Sequence, residues 1–232
     1  EKILAWIAAR GLREGDILFY EVIFMGLLST TMSLARYRVE GRIPDPFLET
    51  VRERLKNHAI REIDNDPAEK SIGWTCFENP FQPDFDNVNL VFGTYLVFSL
   101  RIDKKQIPAK VLKKHLDMAV IKRLKQTERN SLTKNEKQEL REEVARRLYV
   151  RIPATPNVYE VVWNYEGQAL WFFSTQKAAN EELESIFAKT FKLSIIRMFP
   201  FTEAEMTCGL AEDQKDLLYK AAPTAFQGGA NA

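Results

Sequence analysis

The chain has 232 residues, of which 45% are apolar and 28% charged, enough for an ordinary buried core. Its longest apolar run, 17–28, is broken by Glu21 and falls short of the ~20 residues that span a bilayer, so no membrane helix is expected. The net charge of +1 conceals a division: residues 101–151 hold sixteen Lys/Arg against seven Asp/Glu, and the remainder holds seventeen against twenty-five. Such a basic block beside an acidic remainder is the footprint of a polyanion binder, although a charged helix is often only a solvated face.

Residues 1–24 read as a short helix (Ile3, Leu4, Ile7, Ala8), a break at Gly11 and Gly15, and a strand-like stretch 17–24. They carry no signal-peptide pattern, because Arg13, Glu14 and Asp16 stand where the apolar region belongs. With only Cys76 and Cys208, too few for a disulfide framework, a cytoplasmic protein is expected. Residues 1–24 are expected to be a non-native extension. Met25 is followed by Gly26, and residues 20–24 can be encoded with a GAGGT ribosome-binding sequence just ahead of that methionine.

From 30 to 39 the chain alternates (Ala35, Tyr37, Val39 against Arg36, Arg38), which predicts a half-buried strand. A helix follows, with Asp45 as N-cap, Pro46 at its first position and Leu48, Val51, Leu55 and Ala59 as one stripe. A strand pair is predicted at 59–63 and 71–77 around the acidic turn 64–67, then a loop at 78–88. The strongest strand is 89–102, apolar on both faces.

Pro108 opens a helix running to about Thr127, with Leu112, Leu116, Ala119 and Val120 on one side. Lys110, Lys114, Lys122, Lys125 and Arg129 fall within about a third of its circumference elsewhere. Thr133 and Glu136 form a capping box for a second helix whose Leu132, Leu140, Val144 and Leu148 recur every four residues. After Pro153 and Pro156 comes an aromatic hairpin, 158–165 and 169–173, then a helix capped by Thr175 with Ala179, Leu183, Ile186 and Phe187 inward, and a closing strand at 193–199. This order predicts an α+β fold of mainly antiparallel sheet with packed helices and a protruding basic helical pair. Beyond 205 the pattern weakens; 206–232 is expected to be a weakly structured tail containing a short helix, Glu212–Lys220.

Groups able to do chemistry are few. His58 and His115, the only histidines, sit beside apolar positions and read as packing or surface residues. Asp64, Asp66 and Glu69 are the one carboxylate cluster that could serve a metal-dependent nuclease, but Pro67 and the missing Gly favour a solvated turn. Trp163, Tyr165, Trp171, Phe172 and Phe173 could stack on bases, yet in an alternating hairpin they read first as core. No enzyme, cofactor or metal site is therefore expected.

The segment 123–132, Arg-Leu-Lys-Gln-Thr-Glu-Arg-Asn-Ser-Leu, preceded by Arg101, Lys105, Pro108, Val111, Lys113 and Leu116, resembles the recombination-associated protein RdgC family. Ile72-Gly73-Trp74 upstream, and the aromatic hairpin, Lys177-Ala178-Ala179 and the closing strand downstream, agree in order over 25–205. The resemblance implies a bacterial, nucleoid-associated protein that binds double-stranded DNA, with single-stranded DNA left open as a partner, without strong sequence preference, and that restrains the RecA recombinase by occupying DNA. It also implies a homodimer; members close a ring with a basic inner surface, and a part beyond the point matching Thr202 contributes to closure, so a closed ring and an open dimer both stay open here. By the resemblance Arg101, Lys105, Lys113, Arg123, Lys125 and Arg129 are candidate phosphate contacts. Lys110, Lys114, Lys122, Arg146, Arg147 and Arg151 join them on charge placement. A module for an acidic protein partner is the alternative reading of the same face.

Mass spectrometry of the native amino terminus is expected to give a start at Met25; a peptide covering residues 5–10 would overturn that assignment.

Overall fold

The computed structural model describes residues 32–221, so the proposed extension 1–24 lies outside the described residues. Alternation makes β1 (Ala35–Glu40), which buries Ala35, Tyr37 and Val39 and turns Arg36 and Glu40 outward. Helix α1 (Phe47–Asn57) buries Val51 and Leu55. Its N-cap position is Pro46, not Asp45, with no side-chain cap, and Leu48 is exposed, so the predicted stripe is narrower than expected. Strand β2 (Lys70–Thr75) forms as predicted, but 59–63 does not pair along it. The two meet at a parallel bridge, Ala59 to Trp74, and where Ser71 Oγ donates to the Arg61 carbonyl at 2.8 Å. The crossing is so close that a Cβ on Gly73 would lie 2.3 Å from the Ile60 nitrogen, and a parallel approach cannot be part of a hairpin.

The long strand predicted at 89–102 is two: β3 (Val91–Phe92) and β4 (Tyr95–Lys104), joined at Gly93, whose φ of +66° the alternation pattern could not reveal. Helices α2 (Ala109–Thr127) and α3 (Lys134–Tyr149) follow, then the hairpin β5 (Thr155–Asn164) and β6 (Ala169–Phe172). Helix α4 (Lys177–Phe191) has Gln176, not Thr175, at its N-cap. Strand β7 (Ser194–Arg197) and helices α5 (Pro200–Thr207) and α6 (Glu212–Lys220) complete the described chain. No helix among the described residues is long and apolar enough to cross a membrane.

All strands join one antiparallel sheet in the order β2-β4-β5-β6-β1-β7, with β3 also on β4. The fold is therefore α+β, as predicted. One sheet face packs against α1 and α4 in a core containing Tyr37, Leu55, Trp74, Phe98, Phe172, Leu183, Phe187 and Phe191. Two of the polar groups inside it are paired with helix α4: Tyr37 Oη donates to Asn180 Oδ1 at 2.6 Å, and Trp74 Nε1 donates to Thr190 Oγ1 at 2.8 Å, whereas the buried Trp163 Nε1 has no partner among the described residues. The hairpin aromatics Trp163, Phe172 and Phe173 are buried and Tyr165 and Trp171 half-buried, which is the core role the alternation favoured.

On the other face β4 carries Ser99, Arg101 and Asp103, all buried. Arg101 grips Asp103 with two hydrogen bonds, Nε to Oδ1 at 2.8 Å and Nη2 to Oδ2 at 2.7 Å. It also reaches Glu62 at 2.8 Å and lies under the Phe81 ring. Burial pushes the Asp103 carboxyl above its ordinary value and works against the guanidinium charge, which the hydrogen bonds to Asp103 and Glu62 hold in place. One residue beyond β4, Lys105 is 2% exposed and its Nζ donates to three carbonyls: Asp64 at 2.9 Å, Asp66 at 2.8 Å and Tyr149 at 2.7 Å.

Those bonds fix the base of the α2–α3 hairpin, which otherwise packs chiefly on itself. Its far end is closed by the predicted capping box: Thr133 Oγ1 accepts from the Glu136 amide and the Glu136 carboxylate accepts from the Thr133 amide. Arg129 donates to the same carboxylate at 2.5 Å. Chiefly through that bond, and then through Thr133, the Glu136 carboxyl falls to about 2 from an ordinary 4.5.

Two outcomes follow for this hairpin. Lys105→Met leaves three part-buried carbonyls without a charged donor and is expected to cost about 1–2 kcal/mol in urea denaturation; an unchanged midpoint would show that the pin is dispensable. Because Glu136 is depressed in the folded state, its contribution is complete above pH 4.5 and lost as pH falls toward about 2. Denaturation of wild type and Glu136→Gln across that window should show a difference that shrinks to nothing at the acid end.

Candidate nucleic-acid interface

Helix α2 begins after Pro108 with no acidic residue in its first turn, and none of its residues is fully buried. Leu112, Leu116, Val120 and Leu124 advance by four residues each and lie half-buried toward the buried Leu140, Val144 and Leu148 of α3. That seam orients the rest of α2. Lys110, Lys114, Lys122 and Lys125 project on the far side, within about 120° of one another at 3.6 residues per turn.

With Lys113 and Arg123 they make six basic side chains on one helix, against the single acid Asp117. All six are exposed, and among the described residues none has a hydrogen-bond or ion-pair partner. Three large apolar residues share the lysine sector, Val111, Met118 and Ile121, the last two more than half exposed. Of these only Val111 figures among the residues that carry the family resemblance; the exposure of all three depends on which way the seam faces.

The other predicted site residues are placed differently. Arg129 lies just past α2, after the left-handed Glu128 with φ 49°, and is committed to Glu136. Arg146 is exposed on α3. Arg147 and Arg151 meet Arg123, Lys122 and His115 across a cleft between the two helices, and Arg147 lies 3.9 Å from Glu143. Arg101 and Lys105 do not join them. Both are interior groups with saturated partners, so the expectation that they meet phosphates is revised: their charges are spent inside the fold.

His115 is half-buried on α2, in keeping with the packing or surface place expected for it. His115, Lys122 and Gln126 recur at i, i+7 and i+11 and line one side of the cleft, a spacing masked by the lysine stripe beside it. Of the three carboxylates considered for metal chemistry, two accept backbone amides: Asp64 Oδ1 from Ala154, ninety residues along the chain, and Asp66 Oδ1 from Ala68, both at 2.8 Å. No group of three or more His, Cys, Asp or Glu side chains that could hold a metal ion occurs among the described residues.

What the hairpin can do chemically is attract and hold polyanions. Unpaired cations on a helix neutralise phosphates and release their counterions, and little of that face is arranged for reading base edges.

No curated protein matches the chain. The family model described as "Putative exonuclease, RdgC" matches residues 33–218, from the residues before β1 into α6 and across both helices of the basic hairpin. The chain belongs to the RdgC family.

Proposed function

We propose that the protein binds double-stranded DNA without sequence preference through the exposed face of α2, and that it acts as a homodimer restraining RecA-dependent recombination by occupying DNA. The observation that carries the binding role is the set of six exposed, unpartnered basic side chains on that helix: Lys110, Lys113, Lys114, Lys122, Arg123 and Lys125. Lysines that served only as solvated surface would ordinarily be interspersed with acids, as they are on α3, where five bases accompany four acids. The link to RecA rests on family resemblance: a protein spread along DNA by backbone contacts alone denies that DNA to a recombinase.

The family description names an exonuclease. The engagement of Asp64 and Asp66 by backbone amides supports binding rather than cleavage as the function of the hairpin face.

Affinity for unrelated duplexes, measured by fluorescence anisotropy over a range of salt, is expected to fall with a log–log slope of about −4 to −5 for some five engaged phosphates. Lys114→Ala and Lys125→Ala should each weaken every sequence alike and reduce the slope by about one. Binding confined to one sequence, or absent at low salt, would overturn the reading. Degradation of the duplex with Mg²⁺ present would favour the nuclease, and saturable capture of an acidic protein without DNA affinity would favour the alternative module.

A further inference from the structure

The cleft between α2 and α3 differs from the lysine face beside it. It is a concavity of about 360 Å³, at the small end of the range for ligand sites, with a rim that includes His115, Lys122, Arg123, Arg147 and Arg151. Its floor is apolar, formed by Ala119, Leu140, Val144 and Leu148. Glu143 is the only carboxylate in it.

We propose that this cleft is a site for the terminal phosphomonoester of a nucleotide, free or at the end of a DNA strand. It deepens the DNA-binding reading and rests on it only where the nucleotide belongs to DNA. Four formal cations and a histidine around so small a space exceed what one backbone phosphodiester, with a single negative charge, would neutralise. A phosphomonoester carries about −1.5 to −2 near neutral pH and offers three acceptor oxygens. Arg123, Arg147 and Arg151 supply the planar forks that grip such a group with paired hydrogen bonds.

Arg147 is available for this. Its present partner Glu143 is 3.9 Å away with both side chains more than half exposed, and such exposed pairs hold weakly. The apolar floor suits a sugar or a base, which inorganic phosphate lacks. At this volume the cleft has room for a phosphate with one sugar or base and not for the body of a duplex, its walls being two helices with Leu140, Val144 and Leu148 between them. The cleft shares Lys122 and Met118 with the lysine side of α2, so a strand end held there would lie beside phosphates held on that face.

Three probes in a fluorescence anisotropy assay test this: a covalently closed dumbbell duplex, the same duplex with hydroxyl ends, and the same duplex with 5′- or 3′-phosphate ends. Phosphate ends are expected to bind about tenfold tighter than hydroxyl ends. Arg123→Ala and Arg147→Ala should each bring that ratio toward one. The readout is the ratio, so a general loss of duplex affinity in a variant does not affect it. Equal affinity for phosphate and hydroxyl ends, or a ratio that survives both variants, overturns the proposal. Failure to bind the dumbbell would instead defeat the duplex-binding reading. A second measurement stands apart from DNA: by NMR, dTMP should shift the Ala119 and Val144 methyl signals where thymidine does not, and equal shifts from inorganic phosphate would overturn the nucleotide assignment.

Discussion

The contact on which the arrangement depends is the ammonium of Lys105 held among the carbonyls of Asp64, Asp66 and Tyr149. It joins three places that sequence keeps far apart: the end of the longest strand pair, the acidic turn before β2 and the last turn of α3. A buried lysine is tolerated only when its donors are matched, and here all three are used, one of them at a helix C-terminus where the backbone dipole favours a cation. Next to it the Arg101–Asp103 pair, with Glu62 at its edge, gives the same sheet face a second fixed polar point. Together they set the direction in which the chain leaves β4 and enters α2. The most basic region of the protein therefore owes its placement to two cations that take no part in it.

Stability and charge are divided between different parts of the molecule. The sheet and its helices α1 and α4 hold most of the buried apolar surface, including Trp74, Phe98, Phe187 and Phe191. Helix α2 buries no residue fully, and Lys110, Lys113 and Lys114 crowd its N-terminal half, where the helix dipole disfavours cations. Repulsion between lysines four residues apart adds to that cost. The α3 seam and the Lys105 pin offset it, and a phosphate backbone laid along α2 would relieve it. A face strained alone that a polyanion would satisfy fits the usual trade of stability for binding.

Much of this was legible in the sequence because it depends on short-range periodicity. The capping box at Thr133 and Glu136, the α3 stripe, the inward residues of α4 and the lysine face of α2 all repeat at helical spacing. Strand boundaries were less legible where a turn needs a backbone conformation rather than a pattern, as at Gly93, or where two segments cross instead of pairing, as at Gly73 and Ile60. The fate of individual cations was least legible. Arg101 and Lys105 look like Lys122 and Lys125 in one dimension, and only the partners brought from residues 62–66 and from α3 distinguish an interior charge from a surface one. The cleft beside His115 is illegible for the complementary reason: about half of its lining comes from a second helix.

The hairpin is tied to the body at one end only, where Tyr149 meets Lys105, and its capping box closes the other. Nineteen helical residues at 1.5 Å each put that far end about 28 Å from the base. Mechanically this is a lever. A rotation of about ten degrees at the base would carry the tip about 5 Å, roughly one helical turn, without repacking the leucine seam. Such a rotation would move the charged face as a rigid body, and of the three hydrogen bonds made by Lys105 it is the one to Tyr149 that ties this lever to the sheet.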